Sequence, residues 1–295
     1  MDWQTARSAF VSHLQLEGLS PHTIAAYERD LAILQQSYPA QPPASLTREQ
    51  LTRELARLAA RGLNGKSLSR ALSAWRRFFG FISQKEAISD ALFLGLKAPK
   101  SAKRLPKALP VDKAMQLLDE SPEQGNAYLI TRDQAMFELM YSGGLRLAEL
   151  CALDLGDLSL EEGLVRVMGK GNKARLCQVG SQASQAMHAW LETRQSLNAG
   201  EALFVSLRGT RLGARQVQNR LASWATQAGM DRRVHPHMLR HSFASHILQS
   251  SGDLRAVQEM LGHANLTSTQ IYTALDFQHL AEVYDKAHPR AHKKD

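Results

Sequence analysis

Six residues from position 146 onward have side chains suited to phosphate chemistry. Five can carry positive charge or a proton, and the sixth is a phenol able to attack phosphorus. In chain order they are Arg146, Lys170, His237, Arg240, His263 and Tyr272. A guanidinium group binds two oxygens of one phosphate because its planar fork donates two parallel hydrogen bonds and stays charged at any working pH. Histidine donates hydrogen bonds or moves protons near neutral pH. Together these residue types predict transfer at a phosphodiester.

The two arginines lie in stretches that favour anion binding. Arg146 follows Gly143-Gly144, a turn that can present a helix N-terminus and its free N–H groups to an anion. Arg240 comes three residues after His237, so one face of a helix carries both. A single arginine in such a stretch is usually a surface or ion-paired residue. Two of them, each within an apolar helical stretch, favour a phosphate site.

Lys170 is predicted at the tip of a β-hairpin. The run LVRVM (164–168) predicts one strand, GKGN a turn, and ARLCQV (174–179) a returning strand. An ammonium group at such a tip could protonate a leaving oxygen. The alternative is a lysine that only keeps the turn soluble.

Tyr272 is a candidate nucleophile by position alone. A phenol attacks poorly at its usual pKa of about 10, so neighbouring cations must favour the phenolate. Nothing intrinsic distinguishes Tyr272 from Tyr27 or Tyr284.

The sequence predicts no metal and no cofactor. His237 and His241 have the i, i+4 spacing of paired zinc ligands, but no HExxH glutamate separates them and no third ligand is near in sequence. We assign His241 and His246 to ordinary core or surface roles. The chain also has no acidic cluster of the kind a two-metal nuclease uses, and no Walker-type glycine loop for ATP.

Several strings resemble those of the tyrosine recombinases, the phage integrase family. The strings around the six residues are GGLRLAEL (143–150), MGKGNKAR (168–175), HPHMLRHSFASH (235–246) and LGHANLTSTQIYT (261–273). The wider strings look like the XerC branch, the bacterial chromosome-dimer resolvases. The resemblance begins at GLSPHTIAAYERDL (18–31) and extends almost to the C-terminus. One departure is Gln178, which stands where the family string has proline after the hairpin.

The resemblance implies a role for each of the six residues. Tyr272 attacks the scissile phosphate and forms a 3′-phosphotyrosyl link. Arg146, Arg240 and His263 stabilise the transition state. His237 assists proton transfer, and Lys170 protonates the leaving 5′ oxygen.

The resemblance also implies an assembly and a cellular task. These are a tetramer on two dif-like DNA sites with a XerD-like partner, regulated by a septal DNA translocase, that resolves chromosome dimers at cell division. Alternatives within the same chemistry are a phage or integron-type integrase and a relaxing topoisomerase. From another class, the alternative is a catalytically inactive DNA-binding regulator.

Length and charge agree with a DNA-binding protein of two domains. A chain of 295 residues is long enough for two cores, and a net charge of +8 favours a polyanionic partner, with nucleic acid first. Two cysteines make no disulfide framework. The sequence has no hydrophobic signal core and no run of about 18–20 apolar residues. We therefore expect a cytoplasmic protein without membrane spans.

The chain is predicted to be mainly α. Residues 1–95 form an all-helical DNA-binding domain, 96–110 a basic linker, and 111–295 a mostly helical α+β catalytic domain with a small β-hairpin. Within the first domain, Ser20-Pro21 predicts a helix start, and Thr47 with Gln50 predicts a capping box. A later helix of this domain is predicted to turn an apolar stripe inward, formed by Leu68, Leu72, Trp75 and Phe79. In the second domain, helical stretches are predicted over Leu145–Ala152 and over most of 237–284.

Basic residues of the first domain and the linker are candidates for DNA contact. On one helix they are Lys66, Arg70, Arg76 and Arg77, and in the linker they are Lys97, Lys100, Lys103, Arg104 and Lys107. Charged helix faces are usually only solvated, but these could line a groove that follows phosphates. The linker could serve as an ordinary tether between the domains or as a segment that lies along DNA. We expect it to do both.

The segment after Tyr272 has an apolar helix face in Leu275, Leu280 and Val283. Because chain ends are ordered only when they dock, this segment packs either on a neighbouring subunit or back on its own domain. Docking on the neighbour predicts that truncation after Phe277 spares half-site binding but weakens cooperative pairing.

Overall fold

The computed structural model describes residues 1–99, 108–122, 125–169, 174–197, 199–262 and 274–291, with the backbone alone for 274–278. The chain divides into two compact units, Met1–Arg104 and Leu105–Asp295. The predicted linker, 96–110, spans this division, and its residues 100–107 lie outside the described ranges. Within the described residues, no helix combines the length and the apolar character needed to cross a membrane.

The first unit is helical, as predicted. Its α-helices are α1 (Trp3–Leu16), α2 (Pro21–Ser37), α3 (Arg48–Ala60) and α4 (Gly65–Ile82), with short 3-10 turns at Pro43–Ser45 and Asp90–Phe93. Ser20 caps α2 by accepting from the Thr23 N–H. Thr47 and Gln50 form the predicted capping box of α3.

The core of the first unit forms along α4. The predicted inward stripe of this helix is buried, and its members are Leu68, Leu72, Trp75 and Phe79. Phe78 stacks on Trp3 of α1, with ring centroids 5.9 Å apart, and meets Phe10 edge to face at 5.4 Å. Burial of large aromatic rings at this density gives the unit a hydrophobic core of its own.

The second unit is mostly helical with one small sheet, which confirms the predicted fold class. Its helices are α5 (Val111–Asp119), α6 (Ala127–Ser142), α7 (Leu147–Ala152), α8 (Ser181–Gln195), α9 (Ala214–Gln227), α10 (Pro236–Ser251), α11 (Leu254–Leu261) and α12 (Ala274–Ala287). Its strands are β1 (Leu158–Ser159), β2 (Leu164–Met168) and β3 (Ala174–Gln178), in the antiparallel order β1-β2-β3.

The sheet contains the predicted hairpin and one strand that was not predicted. β2 and β3 pair in the register Leu164↔Gln178, so Gln178 closes the ladder at the position where the family string has proline. β1 contributes only two residues, with Leu158 opposite Val165. A strand of that length has no detectable sequence period, which is why the sequence did not predict it.

Helix α6 runs through the core of the second unit. Every residue from 135 to 142 is buried, so the second half of the helix is enclosed on all sides. Its charged side chains have charged partners: Asp133 pairs with Arg132 and Arg220, and Glu138 pairs with Arg290. Such pairing is the condition on which ionised groups remain in an interior.

The helical segment predicted over most of 237–284 is divided by two glycines. Gly252 ends α10 and Gly262 ends α11, both in the left-handed region with φ of +68° and +63°. Glycine adopts this conformation without the steric cost that a Cβ imposes. The chain can therefore change direction twice within a short segment.

The last described residues pack on their own unit, which is one of the two alternatives that the sequence left open. The Tyr284 hydroxyl lies 2.6 Å from Ser142 Oγ, and Arg290 Nε donates to Glu138 Oε2 at 3.0 Å. Both partners belong to the enclosed helix α6. The buried side chains of the segment are Leu280, Tyr284, Ala287, His288, Arg290 and Ala291. The predicted apolar face was only part of the signal, because a tyrosine and an arginine add polar partners inside the unit.

Candidate active site

Arg146 lies at the start of α7, directly after a tight turn that follows α6. Gly144 in this turn has φ of +57°, and a Cβ on it would lie 2.5 Å from Cδ1 of Phe243 on α10. No real Cβ tolerates that distance, so only glycine lets α10 approach the turn. Gly144 therefore brings Arg146 and α10 together.

The predicted anion-binding amide is already occupied by the chain. The backbone N–H of Arg146 donates to Glu149 Oε2 at 2.7 Å, and Arg146 Nη1 donates to Glu149 Oε1 at 2.7 Å. Glu149 is the N3 residue of α7, where a carboxylate caps a helix N-terminus. This N–H group is thus not free for an external anion. The guanidinium group of Arg146 is about one-third exposed and remains accessible.

Arg240 is buried on α10 and is held by backbone carbonyls. Its Nη1 donates to Gly144 O at 2.6 Å and its Nη2 to Leu261 O at 2.7 Å. Burial, followed by the positive charges of Arg146 and Arg175, lowers the pKa of Arg240 to about 10. The carbonyl groups fix the orientation of the guanidinium, and the Glu149 carboxylate, 3.9 Å from Nη1, is too far to accept a hydrogen bond from it.

Glu149 and Arg175 complete the cluster, and sequence reasoning missed both. Arg175 on β3 donates from Nη1 to Glu149 Oε1 at 2.7 Å and from Nη2 to Oε2 at 2.8 Å. Burial alone would raise the pKa of Glu149, but the hydrogen bonds from Arg175 and from the Arg146 N–H outweigh it and lower the pKa to about 2. For the Arg175 guanidinium, burial lowers the pKa, yet its bonds to Glu149 raise it overall. The carboxylate therefore stays ionised throughout the neutral range.

A sequence signal for Arg175 did exist. Side chains of β3 alternate between exposed and buried, and Arg175 takes an inward position next in alternation to Cys177. An arginine at an inward strand position is rare unless it is paired. Glu149, by contrast, lies three residues after Arg146 and has the ordinary spacing of a helical ion pair.

His237 is exposed in the first turn of α10, one helical turn before Arg240. Its ring centroid lies 6.4 Å from that of His235, the N-cap residue. His246, for which we predicted an ordinary core or surface role, is buried, with Nδ1 2.7 Å from the Tyr141 hydroxyl and Nε2 2.8 Å from Leu109 O. Among the described residues, no three His, Cys, Asp or Glu side chains converge as metal ligands.

Of the six predicted residues, the structure describes three. It brings Arg146 and Arg240 to the same carboxylate, with Arg240 Nη1 3.9 Å from Glu149 Oε2, and it places His237 on the helix that carries Arg240. Lys170, His263 and Tyr272 lie outside the described residues. Their roles stay predictions.

The candidate DNA-binding residues of the first unit differ in what they contact. Arg70 makes a two-pronged pair with the buried Asp30, at 2.8 and 2.9 Å. Arg76 donates to Leu96 O and lies over the Phe93 ring, and Arg77 pairs with Glu17. Lys66 and Lys97 are exposed, whereas Lys100, Lys103, Arg104 and Lys107 lie outside the described ranges. Contact of any of these residues with DNA stays a prediction.

Comparison with known proteins gives the same result for both units. The model of the phage integrase family matches residues 107–279, and the model of the phage integrase N-terminal SAM-like domain matches residues 8–86. The tyrosine recombinase XerC of Chromobacterium violaceum is 52% identical over 285 residues, which cover 97% of this chain and 95% of that protein.

Two solved structures are also similar to this chain. The crystal structure of XerA recombinase has 28% identity and a TM-score of 0.51, covering 98% of this chain and 100% of that one. The XerH site-specific recombinase bound to difH substrate, in a pre-cleavage complex, has 25% identity and a TM-score of 0.66. That match covers 88% of this chain and 78% of that one.

Proposed function

Because the chain belongs to the phage integrase family of tyrosine recombinases, we propose that it cuts and rejoins double-stranded DNA at a specific site through a 3′-phosphotyrosyl intermediate. The observation that carries this proposal is the cluster of Arg146, Arg175 and Arg240 around Glu149. Three guanidinium groups against one carboxylate leave two positive charges in excess. A phosphodiester is singly charged and gains further negative charge in its five-coordinate transition state. The excess charge therefore favours the transition state over the bound substrate.

Arg146 and Arg240 have distinct parts in this chemistry. Arg146 is partly exposed and can bind a non-bridging oxygen directly, whereas Arg240 is oriented by two carbonyls before any substrate arrives. A guanidinium that is already oriented loses little side-chain entropy when the phosphate binds. His237, one turn earlier on the same helix, is exposed and can donate a hydrogen bond to the phosphate or transfer a proton.

The remaining steps belong to residues outside the described ranges. Tyr272 attacks phosphorus, so a bond forms from the phenol oxygen as the bond to the 5′ oxygen breaks. Lys170 gives its proton to that 5′ oxygen, and His263 assists in stabilising the transition state. Attack by the partner strand's 5′ hydroxyl then releases the tyrosine and joins the exchanged strands. The energy of the phosphodiester is kept in the phosphotyrosyl bond, so rejoining needs no ATP.

The cellular task follows from the names of the relatives. Similarity to XerC proteins and to a recombinase bound to difH substrate supports a dif-like target, with resolution of chromosome dimers before cell division. On this proposal the protein works in the cytoplasm as a tetramer on two sites, with a XerD-like partner and a septal DNA translocase as regulator. A phage or integron-type integrase would use the same residues on a different target.

The decisive experiment traps the covalent intermediate. DNA that carries the preferred half-site is first enriched from randomised duplexes by gel shift. The protein is then incubated with a nicked version of this DNA. Cleavage of the nicked DNA releases a short strand, and its loss prevents rejoining. We expect the wild-type chain to form a denaturation-resistant adduct, and Tyr272→Phe to bind the same DNA without forming one.

Tyr27→Phe provides the matched control, because it removes the same oxygen from a half-buried tyrosine of the first unit. It should form the adduct normally. An adduct with Tyr272→Phe would show that another residue is the nucleophile. DNA binding without any adduct from the wild-type chain would instead indicate the inactive DNA-binding regulator.

A further inference from the structure

Arg175 joins three elements of the candidate site. It belongs to β3, and its guanidinium group donates to both oxygens of Glu149 on α7. Its Nε donates to Met260 O, near the end of α11, at 3.2 Å. Its side chain also passes so close to Gly262 that a Cβ there would lie 3.0 Å from Arg175 Cδ. The Arg175 side chain is 7% exposed, so it is enclosed by these contacts.

With Arg175 in place, the carboxylate of Glu149 has no acceptor position to spare. Oε1 accepts from the guanidinium groups of Arg146 and Arg175, and Oε2 accepts from Arg175 and from the Arg146 N–H. Each carboxylate oxygen accepts about two hydrogen bonds. Arg240 Nη1 stands 3.9 Å from Oε2, beyond hydrogen-bond reach, and donates to carbonyl groups instead.

We propose that Arg175 is a positioning residue that keeps Glu149 from neutralising Arg240. This inference rests on the proposed function. If Arg175 is lost, two acceptor positions open on a carboxylate that is almost fully buried. Apart from Arg146, which already donates to Glu149, the nearest cation is Arg240, and a small side-chain rotation would close the gap between Arg240 and Glu149. Arg240 would then pair with Glu149 and would no longer offer its full charge to the scissile phosphate.

The physical reason is the cost of an unpaired buried charge. Removing one partner of a buried ion pair leaves the other without compensation, and the surroundings rearrange to supply a new partner. Arg146 already donates twice to Glu149 and is partly exposed, so it has less to offer than Arg240. Arg175 does not itself bind phosphate in this proposal, because its guanidinium group is used by Glu149 and Met260.

Arg175→Lys tests the inference with less risk to folding than an alanine substitution. Lysine keeps the charge but lacks the planar fork, so it cannot bind both carboxylate oxygens as arginine does. The matched control is Arg194→Lys, a buried arginine of α8 that donates to Ala202 O. The assay is single-turnover cleavage of the nicked half-site duplex, with the half-site affinity and the final amount of adduct measured in parallel.

We expect Arg175→Lys to lower the cleavage rate constant about tenfold, which is less than the loss of about 10²–10³ on removing one charge-stabilising donor, because Arg240 is still present. Half-site affinity should stay within about twofold and the final amount of adduct should be unchanged, because the protein still folds and binds. Arg194→Lys should cleave at the wild-type rate. In a Glu149→Gln background, where no carboxylate competes for Arg240, Arg175→Lys should add less than about a threefold further loss.

Four results would overturn the inference. The first is an unchanged cleavage rate constant for Arg175→Lys, and the second is an equal loss of rate in the wild-type and Glu149→Gln backgrounds. The third is a lower half-site affinity with a normal rate constant at saturating DNA. The fourth is a smaller final amount of adduct that forms with the normal rate constant. The third result would mean that Arg175 contacts DNA, and the fourth that it serves folding alone. Absence of any adduct from the wild-type chain would instead reject the proposed function, and this inference with it.

Discussion

At the scale of single residues, the environment of each charged group decides its protonation state. Glu149 and His288 are both enclosed, yet the first stays charged and the second stays neutral. Glu149 has guanidinium partners on both oxygens, which outweigh its burial. The ring of His288 lies between aromatic side chains, with its centroid 4.7 Å from that of Tyr284 and 4.9 Å from that of Tyr141. An imidazole in such surroundings has no anion to stabilise its charged form.

His288 should therefore make the stability of the second unit depend on pH. Burial lowers its pKa from 6.5 to about 3. Between pH 6.5 and about pH 3, His288 is protonated in the unfolded chain but neutral in the folded chain. The free energy of unfolding therefore falls as the pH decreases through this range. The slope approaches about 1.4 kcal/mol per pH unit. Between pH 7.5 and 5 the wild-type chain should lose about 2 kcal/mol relative to His288→Phe, measured by equilibrium unfolding.

Phenylalanine is the suitable replacement because it keeps the stacked ring and removes the titration. It also removes Nε2, which is buried without a hydrogen-bond partner among the described residues, at the loss of the Nδ1 bond from the Arg290 N–H. Burial raises the pKa of nearby Glu138 to about 7, but that group titrates in both proteins, so the comparison cancels it. Parallel stability curves for the two proteins would contradict the prediction.

The residue types at the candidate site could be predicted from the sequence, but their charge balance could not. Arg146 and Arg240 are recognisable from their order and their strings. Glu149 has the spacing of any helical ion pair, and Arg175 lies on a different element, 26 residues farther along the chain. Only the folded structure shows that Arg146 and Arg175 share the Glu149 carboxylate, because residues on different elements are brought together by the fold.

At the scale of elements, Gly144 determines how closely α10 approaches the turn after α6. Gly144 sits where the turn after α6 meets Phe243 of α10, and its carbonyl accepts from Arg240. This carbonyl is one of the two that orient the Arg240 guanidinium. A shift of the turn would therefore move a carbonyl group that orients Arg240.

Gly144→Ala should disturb both the position of the turn and the orientation of Arg240. The new Cβ would overlap Phe243 at 2.5 Å, and φ of +57° disfavours any side chain. We expect a loss of about 2–4 kcal/mol in the free energy of unfolding, because strain and overpacking act together. In the fraction that remains folded, cleavage of the nicked duplex should be at least about tenfold slower, because the turn shifts away from Arg240.

Gly156→Ala is the control, since no atom lies within 4 Å of its added Cβ and its φ is not positive. It should change stability by less than about 1 kcal/mol. Replacing Phe243 by leucine in the Gly144→Ala protein should recover part of the cleavage rate if the overlap is the cause. Normal cleavage by Gly144→Ala alone would rule out the link between the turn and Arg240.

Element boundaries were predictable where local capping decides them. Thr47 and Gln50 begin α3 as predicted, because both capping bonds lie within four residues. The start of α7 was predicted at residue 145 but lies at Leu147, since Glu149 caps the helix at Arg146. The division of the C-terminal helical segment at Gly252 and Gly262 was missed, although both are glycines that follow periodic stretches. Helical periodicity alone continues across such stops.

At the scale of the whole second unit, the C-terminal segment is part of the core. Ser142 Oγ lies 2.6 Å from the Tyr284 hydroxyl and accepts from the Gly180 N–H at 2.7 Å, which joins α12, α6 and the chain that leads into α8. The Ser181 N–H donates to Ala291 O at 3.0 Å. A Cβ on Gly180 would lie 2.6 Å from Arg290 O, so the two backbones are in direct contact. The segment thus closes the unit.

Truncation after Phe277 should therefore unfold the second unit and not merely weaken pairing between subunits. It removes the buried side chains of Leu280, Tyr284 and His288 and leaves Glu138 buried without Arg290. Loss of each large buried side chain costs about 3–5 kcal/mol, and an unpaired buried charge costs several more. Because a domain is stable by only about 5–15 kcal/mol, the sum exceeds what the unit can lose.

Truncation after Ala291 removes only residues 292–295 and should keep the wild-type melting temperature. Circular dichroism in the near ultraviolet separates the two cases, since loss of fixed aromatic packing removes the second unit's contribution to that signal and leaves that of the first unit. A folded Phe277 truncation with a normal melting temperature would instead mean that the segment is dispensable to its own unit and free to dock on a neighbour.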